Sequence, residues 1–289
     1  MKWFDYAAPA TLDEALRLYA DNPKALLLAG GTDLLVQMRA GRKQTGLVID
    51  VKKVSELNAL EYDGAAGLTL GASVACYRVY GSAVVRERVP ALAETASIIG
   101  GTQIQGRASI GGNLCNAAPS ADAVPLLIAL GATCRVANSA GQRQLAVEDF
   151  CVAPGKNALQ PGELLVSIQI PAAAAQSGAH YLRFIPRNEM DIAVVGVGVQ
   201  VALDNGTFRS ARIALASVAP TPVFAKAAGD SLTGKPVNAD SIAAAAELAR
   251  AAASPITDMR GTAEYRSHLC AVLTRRALDA AVRQAKGTH

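Results

Sequence analysis

Two short stretches carry the residue types best suited to holding an anion with main chain. "LLLAGGTDLL", residues 26–35, runs an apolar segment into Gly30, Gly31, Thr32 and Asp33; "SIGGNL", residues 109–114, repeats the arrangement with Gly111, Gly112 and Asn113. Glycine supplies positive φ at tight turns, and that alone would explain one such pair. Two of them, each leaving an apolar segment and each followed by a hydrogen-bonding side chain, suit a diphosphate, because only Gly lets backbone amides come close to phosphate oxygens. Neither Gly-x-Gly-x-x-Gly nor Gly-x-x-x-x-Gly-Lys-Ser/Thr occurs, which disfavours a Rossmann dinucleotide site and a P-loop. Gly196-Val197-Gly198 lacks the third glycine and sits inside a strand-like run. His180, His268 and His289 are isolated, and the five cysteines are odd in number and form no Cys-x-x-Cys pair. No catalytic side chain and no metal ligand are therefore expected.

The elements that must position these turns can be read from pattern. Thr11-Leu12-Asp13-Glu14 matches a capping box, and Leu12, Ala15, Leu16 and Tyr19 mark the apolar face of the helix it starts. Runs at 25–28, 47–51, 67–71, 134–137 and 164–170 read as strands, with helices near 74–80 and 85–99. "AVPLLIALGA" suggests a helix with Asp122 as its N-cap. After Pro171 an Ala-rich connector leads to strands at 181–185, 192–203 and 208–216, with Asp204-Asn205-Gly206 as a hairpin turn. The tail reads as helices over 239–253 and 262–284. The expectation is an α+β chain of three units: 1–57, 58–175 and 176–289.

Composition narrows the class. At 289 residues, 51% of them hydrophobic and mostly Ala, Val, Leu and Ile, the chain has enough apolar surface for a large core. Net charge is +4, but no run of basic residues appears, so no nucleic-acid partner is expected. The N-terminus lacks the apolar region of a signal peptide and no apolar run reaches the length of a membrane span. A cytoplasmic protein is the expectation.

"LLAGGTDLL", "QIQGRASIGGNLCNAAPSADAVPLLIALGA", "GELLVSIQIP" and "YLRFIPRNEMDIAVVGVG" together resemble the FAD-binding subunit of molybdenum hydroxylases, a group that includes the flavin domain of xanthine dehydrogenase and the medium subunit of carbon monoxide dehydrogenase. The similarity runs through nearly the whole chain in the family's order. It implies a two-subdomain FAD-binding fold of the vanillyl-alcohol-oxidase-like superfamily, then a C-terminal α+β domain with a small antiparallel sheet and helices. Leu27, Leu28, Ala29, Gly30, Gly31, Thr32, Asp33 and Leu34 would form the first FAD loop, wrapping the pyrophosphate. Ser109, Ile110, Gly111, Gly112 and Asn113 would form the second. Asp122 would be the family's acidic residue near the flavin. Leu165 would pack on the adenine end, although its pattern alone reads as core. Arg183, where relatives often have Lys, would face a flavin or ribose oxygen, although an Arg on a strand is usually solvated. Ile192 would lie against the isoalloxazine ring, with plain core as the competing reading. Gln105-Gly106 departs from the family's commoner Arg-Asn, and Ser109 from its commoner Thr. The stretch 91–109 is short and lacks cysteine, so the extra iron–sulfur cluster of hydroxybenzoyl-coenzyme A reductases is not expected.

The resemblance implies FAD on this chain, and molybdopterin and two-iron clusters only on partner subunits. Those partners would be a small iron–sulfur subunit and a large molybdopterin subunit, assembled as a dimer of heterotrimers. The implied activity is electron transfer from the clusters through FAD to an external acceptor. A self-contained FAD-dependent oxidoreductase of the same superfamily, or a degenerate scaffold subunit without FAD, are the alternatives.

Overall fold

The computed structural model describes residues 1–187 and 190–287; Asn188 and Glu189, in the last quoted motif, and Thr288 and His289 lie outside the described residues. Among the described residues three larger sheets organise the chain, beside a two-stranded one of Cys151–Ala153 and Lys156–Asn157. The first is parallel, in the order Asp5–Ala7, Leu47–Asp50, Leu26–Leu28. The helix Leu12–Asp21 begins where the capping box predicts: Thr11 Oγ1 accepts from the Glu14 amide at 3.2 Å, and Glu14 Oε2 accepts from the Ala10 amide at 2.9 Å. Its Leu12, Ala15 and Leu16 are buried with Ile49 of the first sheet and with Leu164 and Val166 of the second. That shared cluster fastens the first sheet to the second.

The second sheet is antiparallel, in the order Leu60–Asp63, Gly67–Gly71, Leu164–Ile170, Thr133–Asn138, Gly141–Ala146. Leu68, Leu70, Cys134, Val136, Ile168 and Ile170 point into one core, while Thr69, Arg135 and Gln169 take the opposite face, as period-two alternation requires. A register shift between Leu165 and Ser167 lets both Leu165 and Ile168 face that core although they are three residues apart. Helices Cys76–Gly81, Ala83–Arg88, Pro90–Ser97, Ile110–Asn116 and Ala123–Ala129 supply the rest of the layer. The single helix expected over 85–99 is thus two pieces. Pro90 has no amide to continue the earlier helix and begins the later one at its first turn.

The third sheet is antiparallel, in the order Ser177–Phe184, Val195–Asp204, Thr207–Ala216, Val223–Phe224. Asn205 (φ 47°) and Gly206 (φ 81°) make the hairpin turn, both with positive φ as a type I′ turn demands. Val195, Val197, Val199 and Val201 are buried against helices Ala239–Ala251 and Ala263–Ala285. The alternate residues Gly196 and Gly198 face the other way, toward Ala123–Ala129. A Cβ on Gly198 would stand 2.5 Å from the Pro125 carbonyl. The Gly-Val-Gly of this strand therefore seats a helix against a sheet. The strand begins at Val195, so Ile192, expected inside it, precedes it. Among the described residues no helix is long and apolar enough to cross a membrane.

Candidate functional site

The two glycine turns meet. Gly30 and Gly31 follow the strand Leu26–Leu28, and Gly31 takes φ +79°, a conformation that side chains resist. Arg107 Nε donates to the Gly30 carbonyl at 3.3 Å, and a Cβ on Gly30 would stand 2.1 Å from the Arg107 carbonyl oxygen. Arg107 lies two residues before Ser109. A second tie joins the helices that leave the turns: Gln37 Nε2 donates to Asn116 Oδ1 at 3.1 Å. The amides of Gly30, Gly31, Thr32 and Asp33 donate to no acceptor among the described residues. Leu27, Leu28 and Leu34 anchor this turn by packing into the apolar clusters around the first sheet, while Ala29 and Thr32 stay half-buried and Asp33 exposed.

In the second turn Ser109 Oγ accepts from the Gly112 amide at 3.0 Å and caps Ile110–Asn116. Ile110 and Gly111 are buried, and a Cβ on Gly111 would stand 2.4 Å from the Ala72 carbonyl oxygen. Glycine at positions 30 and 111 is thus required by protein packing. Gly112 is different, since a Cβ there would meet only Ser109 Oγ, at 2.9 Å. Asn113 Oδ1 accepts from the Ala123 amide at 3.3 Å and so serves the start of Ala123–Ala129.

That bond corrects the N-cap reading of Asp122. Its side chain caps nothing; Oδ1 accepts from the Tyr181 hydroxyl at 2.8 Å, and Oδ2 from Arg183 Nη1 at 2.8 Å. Asp122 and Tyr181 are 8% and 7% exposed, and the Arg183 side chain is 9% exposed, so the solvated reading of Arg183 also fails. Burial pushes the Asp122 carboxyl above its ordinary range, against the opposing pull of Arg183 and of the Tyr181 hydroxyl. Burial, and then the neighbouring Asp122 charge, raise the Tyr181 phenol well above its ordinary value. Leu165 is buried in the main core. Ile192 is 48% exposed, so plain core does not describe it.

Three features were not singled out from sequence. Arg107 is a cation placed at the junction of the turns. Tyr181 is the second donor to Asp122. The third is Gly100-Gly101-Thr102, whose form repeats Gly30-Gly31-Thr32: Gly100 has φ +61°, and a Cβ on Gly101 would stand 2.9 Å from Met190 Cγ and Sδ, two residues from Ile192. Gln105 braces this loop, Nε2 donating to the Ser97 carbonyl at 2.6 Å.

Free amides at the first glycine turn, packed against a second whose Gly112 and Asn113 amides are held by Ser109, with a guanidinium beside them, fit the diphosphate of a dinucleotide cofactor. Two open clefts among the described residues, of about 460 and 420 Å³, lie elsewhere, and none of the residues that line them belongs to the turns or is Asp122. Burial pushes the thiols of Cys76, Cys115 and Cys270 up to about 12, so they stay protonated and inert near neutral pH. No group of three or more His, Cys, Asp or Glu able to hold a metal occurs among the described residues.

Known proteins resemble this chain over nearly its whole length. Residues 2–173 match the family described as the FAD binding domain in molybdopterin dehydrogenase, and residues 180–281 match the CO dehydrogenase flavoprotein C-terminal domain. The xanthine dehydrogenase FAD-binding subunit of Escherichia coli is 32% identical over 98% of this chain and 99% of its own length. A chain of carbon monoxide dehydrogenase from Hydrogenophaga pseudoflava superposes with a TM-score of 0.92 at 33% identity, over 97% of each chain. One of quinoline 2-oxidoreductase from Pseudomonas putida gives 0.91 at 32% identity, over 99% of each. The chain belongs to the FAD-binding subunits of the molybdopterin dehydrogenase family, oxidoreductases of the xanthine and carbon monoxide dehydrogenase type.

Proposed function

We propose that this chain is the electron-transfer subunit of a heterotrimeric molybdenum hydroxylase, holding one FAD by its diphosphate between the Gly30 and Gly111 turns. The contact of Gly30 with Arg107 carries the reading, because it brings together two anion-suited turns from distant parts of the sequence. When bound, the flavin supplies redox chemistry: single electrons arrive from iron–sulfur clusters on a small partner subunit, and a pair leaves to nicotinamide, quinone or oxygen. The chain's own residues bind and orient. Amides of Ala29 to Thr32 and of Ile110 and Gly111 hold phosphate oxygens, with Arg107 adding positive charge, while Ser109 takes the Gly112 and Asn113 amides to fix the turn. Asp122 and Arg183 present a buried, paired set of polar groups to the ribityl and ring oxygens. Ile192 and Met190, both exposed and apolar, shield the ring from water, and Leu165 closes the adenine end.

In this reading units 1–57 and 58–175 clasp the cofactor, and 176–289 completes the site through Arg183 and Ile192. Substrate would be hydroxylated on a large molybdopterin subunit, in a dimer of heterotrimers. Rapid mixing of the native complex with its reducing substrate tests the proposal: the flavin should bleach in the complex, while the isolated FAD-loaded chain should stay oxidised. Bleaching of the isolated chain at a comparable rate would favour a self-contained oxidoreductase instead.

A further inference from the structure

Asp122 is held on both carboxylate oxygens by donors from a strand far away in sequence. Tyr181 and Arg183 are two residues apart on Ser177–Phe184 and so share one face of the third sheet. Their cross-strand partners are Gly198 and Gly196. Tyr181 leans over Gly196, where a Cβ would stand 2.6 Å from the Tyr181 hydroxyl oxygen. The missing side chain at 196 is therefore the space through which this hydroxyl reaches Asp122. A phenylalanine would fill the same core volume, so the hydroxyl is the part of Tyr181 that packing does not require.

The segment bearing Asp122 is fixed independently. Ala117 (φ 49°) turns it out of Ile110–Asn116 in the left-handed region, and Ser217 (φ 66°), also left-handed, donates its amide to the Pro119 carbonyl at 2.8 Å. Such backbone persists in non-glycine residues only where the surroundings over-determine it, and it clusters at functional sites. Asn113 occupies the Ala123 amide, which leaves the Asp122 carboxylate without a local backbone partner and dependent on the third sheet for its orientation.

We propose that Tyr181, given room by Gly196, is a positioning residue that fixes the Asp122 carboxylate toward the flavin, so that the cofactor site is complete only when the C-terminal sheet is docked. The proposal rests on the reading that Asp122 faces FAD. Without the hydroxyl, Oδ1 is left buried and unpaired, and the carboxylate either turns fully onto Arg183 or takes up a proton. Both changes alter the charge presented to the flavin.

The test uses the full chain as wild type, Tyr181→Phe, Gly196→Ala, Asp122→Asn and the Tyr181→Phe/Asp122→Asn double variant. FAD affinity is read by fluorescence titration and the midpoint potential of the bound flavin by spectroelectrochemistry, with circular dichroism to follow the fold. Tyr181→Phe should keep its circular dichroism, lose FAD affinity roughly tenfold and move the midpoint to a less negative value. Gly196→Ala should act in the same direction by displacing the ring. In the Asp122→Asn background Tyr181→Phe should add less than about twofold, because both changes remove one interaction. Wild-type affinity and potential in Tyr181→Phe, with Asp122→Asn impaired, would overturn the proposal, as would effects that multiply in the double variant. If Asp122→Asn itself leaves affinity and potential unchanged, the placement of Asp122 at the flavin fails, and the proposal falls with it.

Discussion

Gly30 and Arg107 are packed main chain against main chain: the Arg107 carbonyl oxygen occupies the position next to a Gly30 Cβ, 2.1 Å away, while its Nε donates to the Gly30 carbonyl. Any side chain at 30 must push the two turns apart. Gly30→Ala is expected to cost about 1–3 kcal/mol of stability by overpacking and to abolish FAD retention. Gly112→Ala meets only the Ser109 hydroxyl, so it should lose FAD affinity with a smaller loss of stability. Thermal unfolding and FAD titration of both variants check this. Equal stability losses would mean that the difference between the two positions is misread.

Arg183 and Asp122 form a buried ion pair at 2.8 Å. Arg183→Met leaves the carboxylate buried without its countercharge and should cost about 3–5 kcal/mol at neutral pH. Burial already raises the Asp122 carboxyl, and removal of the guanidinium raises it further. With the folded value above the unfolded one, the folded state binds the extra proton, so stability falls as pH rises between the two values. The variant should therefore be less impaired at pH 4.5 than at pH 7.5 in urea unfolding. A deficit independent of pH would contradict this account of Asp122.

Glu163 behaves in the opposite sense. Arg143 donates to Oε1 at 2.7 Å and to Oε2 at 2.8 Å, and the Gln160 amide donates to Oε2 at 2.7 Å. The Arg143 hydrogen bond is the main cause that holds this carboxyl below its usual range. Its contribution is present above the unfolded carboxylate value of about 4.3 and is lost as pH falls through the folded one. Glu163→Gln should cost about 1–2 kcal/mol at pH 7, near the low end for a charge-assisted bond because Arg143 is partly exposed to solvent. The gap to wild type should narrow below pH 4. An unchanged gap at pH 3 would remove Glu163 from the acid limb.

What the sequence made legible is local. The capping box at Thr11, the strands Gly67–Gly71 and Leu164–Ile170 and the Asn205-Gly206 turn all follow from residues within a few positions of one another. The strand Asp5–Ala7 was missed because it has three residues, mostly exposed, and takes its form from pairing with Leu47–Asp50. Both glycine turns stood out in the sequence, but their meeting at Arg107 did not, since 77 residues separate Gly30 from Arg107. Asp122 looked like an N-cap because its actual partners, Tyr181 and Arg183, lie 59 and 61 residues away. The Gly100-Gly101-Thr102 loop did carry a local signal, the same Gly-Gly-Thr as the first turn.

Ile192, nearly half exposed, lies outside the core. Ile192→Ala should change stability by less than about 0.5 kcal/mol while speeding dissociation of FAD and altering the visible spectrum of the bound flavin. A large drop in melting temperature would return Ile192 to the core, and an unchanged spectrum and off-rate would remove it from the flavin.

The central claim is that paired turns grip a diphosphate, and calorimetric titration of the flavin-free chain with FAD and with FMN tests it most directly. FMN carries the same ring and ribityl phosphate but lacks the diphosphate and the adenosine end. FAD should bind one per chain, with FMN at least about 100-fold weaker, equivalent to the loss of about 2.7 kcal/mol. Comparable affinities for the two flavins, or no binding of FAD to a well-folded chain, would contradict the account.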